Sequence, residues 1–154
     1  MRVILVTDVS HGADAILAKP EIKDMGGLGG RSVAVEHTAV GAYVLTRALQ
    51  GAGMSLSDVQ VLPLEVDEHE SAFGSGKVDA VVTFEPVRSR LLARGAVQIF
   101  DSRQIPGEII DVLVMRTDAM AQFSSTVQKL LKGWFDALKY LNEAMNTTMR
   151  HVKG

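Results

Sequence analysis

The run from Lys77 to Pro86, Lys-Val-Asp-Ala-Val-Val-Thr-Phe-Glu-Pro, constrains the fold more than any other stretch of the chain. Val78 to Phe84 reads as a buried strand, and it delivers the carboxylate of Glu85 to its own carboxyl end. Pro86 then opens a helix, because proline is favoured in the first helical turn, where its missing N–H costs nothing. In open α/β sheets small ligands collect just beyond the carboxyl ends of the strands. Glu85 therefore stands either where a ligand is met or, more plainly, as a cap of the following helix or a surface partner of Arg88 or Arg90.

A chain of 154 residues, 47% of them hydrophobic, can bury one substantial core but not two ordinary ones. Its formal net charge of −2 leaves no electrostatic footprint for nucleic acid, and no run of basic residues interleaved with aromatics occurs. Without cysteine it has no disulfide, thiolate nucleophile or sulfur-held metal. The apolar run Val3 to Val6 is too short for a secretory signal, and no segment approaches the roughly 20 apolar residues of a membrane span. No membrane insertion is expected. As written, the chain is expected to stay in the cytoplasm.

Val3 to Val6 and Ala13 to Ala18 read as strands joined by the polar bend Asp8 to Gly12. Asp24 to Gly30 is a glycine-rich turn feeding a third strand, Ser32 to Glu36. These glycines precede a strand, whereas a dinucleotide-binding loop follows one, so the run reads as a loop. From Thr38 the spacing becomes helical, with Val40, Val44, Leu45, Ala48 and Leu49 on one face and Gly51 and Gly53 ending it. Val59 to Leu64 is a strand and Asp67 to Ser75 a short helix. Pro86 to Ala93 forms another helix, followed by a strand over Val97 to Phe100 and a further one over Ile109 to Met115.

Ser125 and Gln128 have the spacing of a capping box. Beyond them Val127, Leu130, Leu131, Trp134, Leu138, Leu141 and Met145 recur at intervals of three and four. This long amphipathic helix is expected to pack its stripe on the sheet, with Trp134 as anchor. Repeated βαβ order with a covering helix predicts a three-layer αβα sandwich whose sheet is mostly parallel.

Four histidines, His11, His37, His69 and His151, lack metal-ligand spacing, and no metal or cofactor is expected. Ser10, His37 and Asp111 make up the residue types of a hydrolytic triad, but no G-x-S-x-G elbow accompanies them, so no catalytic residue is assigned. A binding constellation fits better. Ser10, His11 and Gly12 form the polar bend. His37, Thr38, Ala39, Val40 and Gly41 cover the end of a strand and the opening turn of the next helix, and Glu85 ends another strand. Free N–H groups and the helix dipole at that turn suit a small anion, and Glu85 suits an ammonium or hydroxyl group. The simpler account is that Thr38 caps its helix and Gly41 permits close packing on the sheet.

The segments Asp8 to Ile16, Gly30 to Glu36, Val40 to Leu45, Gly76 to Pro86 and Ile109 to Val114, in this order, resemble the substrate-binding proteins of nitrate, sulfonate and taurine ABC importers. The same superfamily holds the binding proteins for thiamine pyrimidine precursors. The resemblance implies a type II periplasmic-binding-protein fold and one lobe of a two-lobed clamshell. It divides the chain into a crossover segment over 1–12, a lobe core over 13–146 and a tail over 147–154. Val3 to Val6 would then be a strand of the other lobe, left without its pairing partner.

In the family a signal peptide and first-lobe sequence precede the Asp8 to Ile16 segment, so the resemblance implies a periplasmic location if the chain is part of an exported protein. It also implies a small-molecule ligand, an organic anion or a zwitterion such as an aminosulfonate. The cleft would be completed by a second copy in a homodimer or by a separate first-lobe partner, and the resemblance also implies an ABC permease as partner. The family often carries glycine and serine where this chain has Thr38 and Ala39. A fungal pyrimidine synthase of the same fold uses a cysteine-rich segment that is missing here, which speaks against an enzyme. The alternative is an orphan or mobile-gene fragment that acts as a dimeric interaction module.

Overall fold

The computed structural model describes residues 1–36 and 39–152, apart from the side chains of Ala39 and of 146–152. Two compact units result: Asp8–Asp111, and a smaller one formed by Met1–Thr7 with Val112–Gly154. Strand β1 (Arg2–Val9) pairs with β7 (Ile110–Met115) as a two-stranded ribbon, so the Val3 to Val6 strand does have a partner. The chain enters the larger unit along β1 and leaves it along β7.

The larger unit is built on a five-stranded sheet of β2 (Ala15–Ala18), β3 (Ser32–Val35), β4 (Gln60–Pro63), β5 (Ala80–Thr83) and β6 (Val97–Asp101), in the order β4-β3-β5-β2-β6. Strands β3, β4 and β5 are parallel, while β2 runs antiparallel to both β5 and β6. Four strands therefore point one way and β2 alone opposes them, giving the expected mostly parallel sheet with one reversal.

Alternation along each strand splits the core into two layers. Ile16, Val33, Val35, Ala80 and Val82 face α1 (Ala39–Gly51), which contributes Val44, Leu45, Ala48 and Leu49. Leu17, Ala34 and Val81 face the other way. They meet Ala72 of α2 (Val66–Gly74) together with Val87 and Leu91 of α3 (Val87–Ala93). These are the three layers read from the βαβ order. Each fully buried leucine, such as Leu45 or Leu91, contributes about 1.5–3 kcal/mol relative to exposure.

At the edge where β3 and β5 begin, one carboxylate joins three strands. Asp79 accepts hydrogen bonds from Lys19 Nζ at 2.8 Å, Ser32 N at 3.1 Å and Ser32 Oγ at 2.9 Å. The Lys19 contact comes first among the causes that hold the Asp79 carboxyl down to about 2. Near that edge the glycine-rich stretch forms a tight 3-10 turn over Met25–Leu28, opened by Asp24, whose Oδ1 accepts from Gly27 N at 3.0 Å.

The smaller unit holds the ribbon, α4 (Thr117–Gln122) and α5 (Ser124–Val152). Helix α5 begins at Ser124, so Ser125 lies inside it rather than opening it with a capping box. Its stripe is not buried in the way the periodicity predicted. Leu130, Leu138, Leu141 and Met145 are 53%, 45%, 55% and 65% exposed, and Val127, Leu131 and Trp134 are half-buried. Periodicity establishes that such a helix has an apolar side, but not which surface covers it. No described helix is long and apolar enough to cross a membrane.

Candidate functional site

The register of the larger sheet fixes what meets at the rim where its parallel strands end. Ala15, the first residue of the reversed strand β2, is level with Thr83 at the end of β5 and with Asp101 at the end of β6. Strand β3 pairs Ala34 with Val81, and continuing that register sets Glu36 level with Thr83. Four strands thus end where β2 begins, and α1 starts at the same rim after Glu36. Asp14, Glu36, Val40, Gly41, Thr83 and Phe84 line a small pit there, about 20 Å³ in volume, enough for one water-sized group.

The pit combines acidic, polar and apolar elements. Asp14 and Glu36 are half-buried, whereas Thr83 is 2% exposed and its Oγ1 has no hydrogen-bond partner among the described residues. Val40 and Phe84 expose 47% and 41% of their surface beside it. Gly41 allows a close approach, since a Cβ there would lie 3.0 Å from Val35 Cγ2 and 3.5 Å from the Glu36 carbonyl oxygen. Close approach of α1 to the end of β3 brings the first turn of the helix to the rim, with its backbone N–H donors and positive dipole end.

The polar bend is held by a chain of hydrogen bonds. Gly12 N donates to Ser102 Oγ at 2.6 Å, the Ser102 and Ser10 hydroxyls are 2.8 Å apart, and Ser10 Oγ donates to Asp14 Oδ2 at 2.6 Å. The order Gly12, Ser102, Ser10, Asp14 satisfies each donor in turn, so the Ser10 hydroxyl is engaged in shaping the bend. Gly12 has φ of +88°, which suits glycine, and a Cβ there would meet Arg103 Nε at 3.2 Å. His11 is exposed beside it.

Glu85 takes the capping role. Its Oε2 accepts from Ser89 N at 3.2 Å and its Oε1 from Arg88 at 3.0 Å, at the start of α3. Hydrogen bonding from Ser89, then from Arg88, holds its carboxyl below the ordinary range. Arg88 also donates twice to Gln98 Oε1, and Gln98 donates to Asp101 Oδ2 at 2.6 Å, which fastens α3 to the end of β6. Arg103 completes the run with hydrogen bonds to Asp101, lowering that carboxyl as well.

Of the residues read from sequence, Val40 and Gly41 line the pit and Ala39 begins α1. Ser10 and Gly12 shape the adjoining bend, and Glu85 lies at the end of β5 with its carboxylate turned to α3. His37 and Thr38 lie outside the described residues. Sequence reasoning missed Asp14, Glu36, Thr83 and Phe84. The rule that singled out Glu85, an acid ending an apolar strand, applies equally to Glu36. Thr83 carries a comparable signal as the one hydroxyl in the run Val78 to Phe84. It also missed that His69 is fully buried, with Nε2 3.1 Å from the Leu64 carbonyl oxygen.

Two further depressions lie in the same unit. The larger, about 620 Å³, lies at the far end of α1, lined by Asp24, Arg47, Gln50, Gln104 and Ile105 among others. Its arginine is already committed: Arg47 grips Glu108 through two nitrogens at 2.6 and 2.8 Å, and Tyr43 donates to the same carboxylate at 2.6 Å. These contacts, Arg47 first, take the Glu108 carboxyl down to about 2. The second, about 260 Å³, is an apolar groove lined by Val40, Tyr43, Glu108, Ile109 and Ile110. It shares Val40 with the pit, so the two adjoin at the opening of α1. Among the described residues no cluster of acids and histidines could hold a metal ion.

Comparison with known proteins agrees with this architecture. A protein of Brucella abortus (strain 2308) that carries the provisional name of a binding protein is 31% identical over 86 residues, 56% of this chain and 27% of that one. The crystal structure of the periplasmic aliphatic sulphonate binding protein SsuA from Escherichia coli is similar with a TM-score of 0.70 and 26% identity, covering 81% of this chain and 44% of that chain. The desulfurization enzyme DSZB reaches a TM-score of 0.69 at 17% identity, over 88% of this chain and 55% of that chain, and shows the fold alone. The chain therefore spans about a quarter of the curated relative and less than half of SsuA. The NMT1-like family model matches residues 5–152, nearly the whole sequence, and the chain belongs to the NMT1-like family.

Proposed function

We propose that this chain is the small-molecule-binding lobe of a substrate-binding protein of the sulfonate, nitrate and taurine importer class, with an organic anion or zwitterion as its ligand. The observation that carries the reading is the convergence at one sheet rim of the α1 N-terminus, the small pit and the apolar shelf at Val40. This is where an open α/β sheet receives a ligand. Similarity to SsuA at 26% identity supports a binding role over a catalytic one, and that protein's periplasmic setting supports a periplasmic location for this one. Partnership with an ABC permease follows from the same relation. Calorimetric titration of the full chain with taurine, ethanesulfonate and nitrate tests the proposal. Heat of binding for at least one, reduced by Gly41→Asp, is the expected result; no binding by any of the three overturns it.

A second reading is favoured by the exposed stripe of α5. Leu130, Leu138, Leu141 and Met145 leave an apolar band that a homodimer would cover. Light scattering at micromolar concentration, on the chain and on Leu138→Asp, tests it. A monodisperse monomer from the unaltered chain rules it out.

A further inference from the structure

We infer that the depression of about 620 Å³ at the far end of α1 is a second ligand site, and that it takes an organic cation with an apolar body. It is separate from the rim, because the thirteen residues of α1 span about 20 Å at about 1.5 Å per residue. Four parts of the larger unit, far apart in sequence, build it: the turn opened by Asp24, the last turn of α1, strand β6, and Gln104 with Ile105 beyond that strand. Its volume falls within the roughly 300–1,000 Å³ of small-molecule sites. Met25, Ala48, Phe100 and Ile105 are buried and supply an apolar lining, whereas Asp24, Gln50 and Gln104 are exposed around it.

The charge of the ligand follows from which groups are already engaged. Arg47 is the cationic side chain of the lining, and each of its nitrogens has a partner: Nε and Nη2 donate to Glu108, and Nη1 donates to Gln50 Oε1 at 2.9 Å. Asp24 is the opposite case. Its Oδ1 accepts from Gly27 N, while its Oδ2 has no hydrogen-bond or ion-pair partner among the described residues. Helix α1 adds the negative end of its dipole. The carbonyls of Ala48, Leu49 and Gln50 accept from the amides of Ala52, Met54 and Gly53, but that of Gly51, a lining residue, accepts none among the described residues. A carboxylate oxygen, a spare helix carbonyl and an apolar lining match a positive, N–H-bearing head on a hydrocarbon or aromatic body. Gly51 also leaves room, since a Cβ there would have no heavy atom within 4 Å.

The test is an NMR titration of the isotope-labelled full chain with phenethylammonium and with hydrocinnamate, which share an apolar body and differ in the charge of the head. Phenethylammonium is expected to shift the amides of Asp24 to Gly27, Gln50 to Ala52 and Gln104 to Ile105, and to bind about three- to tenfold more tightly than hydrocinnamate. Asp24→Asn keeps an oxygen to cap the turn and removes the charge, and is expected to abolish that preference. Gly51→Trp fills the space at a position with room for a side chain, and is expected to weaken both ligands by about threefold or more. Unchanged amide shifts elsewhere in each spectrum confirm that the variants are folded. Equal or tighter binding of hydrocinnamate, a preference that survives Asp24→Asn, binding untouched by Gly51→Trp, or no shifts in the three segments would each overturn the site. None of these outcomes bears on the rim, whose ligands are titrated separately.

Discussion

Replacing Asp79 by asparagine should cost stability in a way that depends on pH, and the structure sets the size. The carboxyl is held at about 2 against an ordinary 3.8, chiefly by Lys19 and then by the Ser32 backbone and hydroxyl, and the ion pair is only 26% and 19% exposed. A shift of this size corresponds to about 2 kcal/mol at neutral pH. Because the folded value is depressed, the contribution is complete above the unfolded value and is lost as pH falls through the folded one. Linkage keeps nearly all of this contribution at pH 4, roughly half at pH 3 and little at pH 2. Urea titrations of wild type and Asp79→Asn at pH 7, 4, 3 and 2, followed by hydrogen exchange of the β5 amides, measure the difference directly. Tryptophan fluorescence is unsuitable because Trp134 lies in the smaller unit. A difference that stays constant from pH 7 to pH 2 would refute the electrostatic origin and assign the loss to packing or hydrogen-bond geometry.

Further outcomes are expected from single substitutions. Leu91→Ala, at a fully buried position of α3, should destabilise the larger unit by about 2–5 kcal/mol in urea titration. Gly41→Ala places a Cβ 3.0 Å from Val35 Cγ2, and should cost about 1–3 kcal/mol by the same assay; a neutral result would mean that Val35 can yield. Thr83→Val removes a buried hydroxyl without a partner among the described residues and should stabilise the unliganded chain by about 1 kcal/mol in thermal unfolding. Burial holds the His69 imidazole below its ordinary 6.5, against the opposing influence of the Leu64 carbonyl and of Glu36, Glu68 and Asp67. Stability from the neutral ring is therefore present above pH 6.5 and declines as pH falls toward the lower folded value. His69→Gln should flatten the stability profile between pH 6.5 and 5, and an unchanged slope would locate the titrating group elsewhere.

The larger unit was legible in the sequence wherever a single period dominates. Val78 to Phe84 and Ser32 to Glu36 are short, largely apolar runs, and each contains a core strand, Ala80–Thr83 and Ser32–Val35. Val44, Leu45, Ala48 and Leu49 carry the helical period and bury fully or nearly so. The direction of β2 was not legible, because Ala-Ile-Leu-Ala has no polarity that distinguishes one orientation from the other. For α5 the period was right and the covering surface was not, and the expected burial of Trp134 fails with it; Trp134→Ala should cost well below the ~3–5 kcal/mol of a buried tryptophan. The rim of the sheet followed from strand ends followed by helix starts. Asp14 and Glu36 were missed because their meeting at the pit depends on register across strands far apart in sequence, and the Glu85 carboxylate is hydrogen-bonded by Ser89 and Arg88 of the helix that follows. Ser102, which closes the polar bend, lies ninety-two residues from Ser10 and gave no local signal.

The reversed strand β2 also dictates an order of assembly. Its neighbours, β5 and β6, are roughly 65 and 85 residues further along the chain, whereas β3, α1 and β4 form a contiguous parallel unit. At synthesis rates of about 5–20 residues per second, Ala15 to Ala18 waits on the order of ten seconds for its partners to be made. During that interval it is a bare apolar strand with two open edges, and holding it apart from other chains falls to whatever receives the nascent polypeptide. The β3-α1-β4 unit can fold first, β5 then extends it, and β2 can be sealed on both edges only once Asp101 has been synthesised. Among the strands of this sheet, the first to be made is the last to be enclosed.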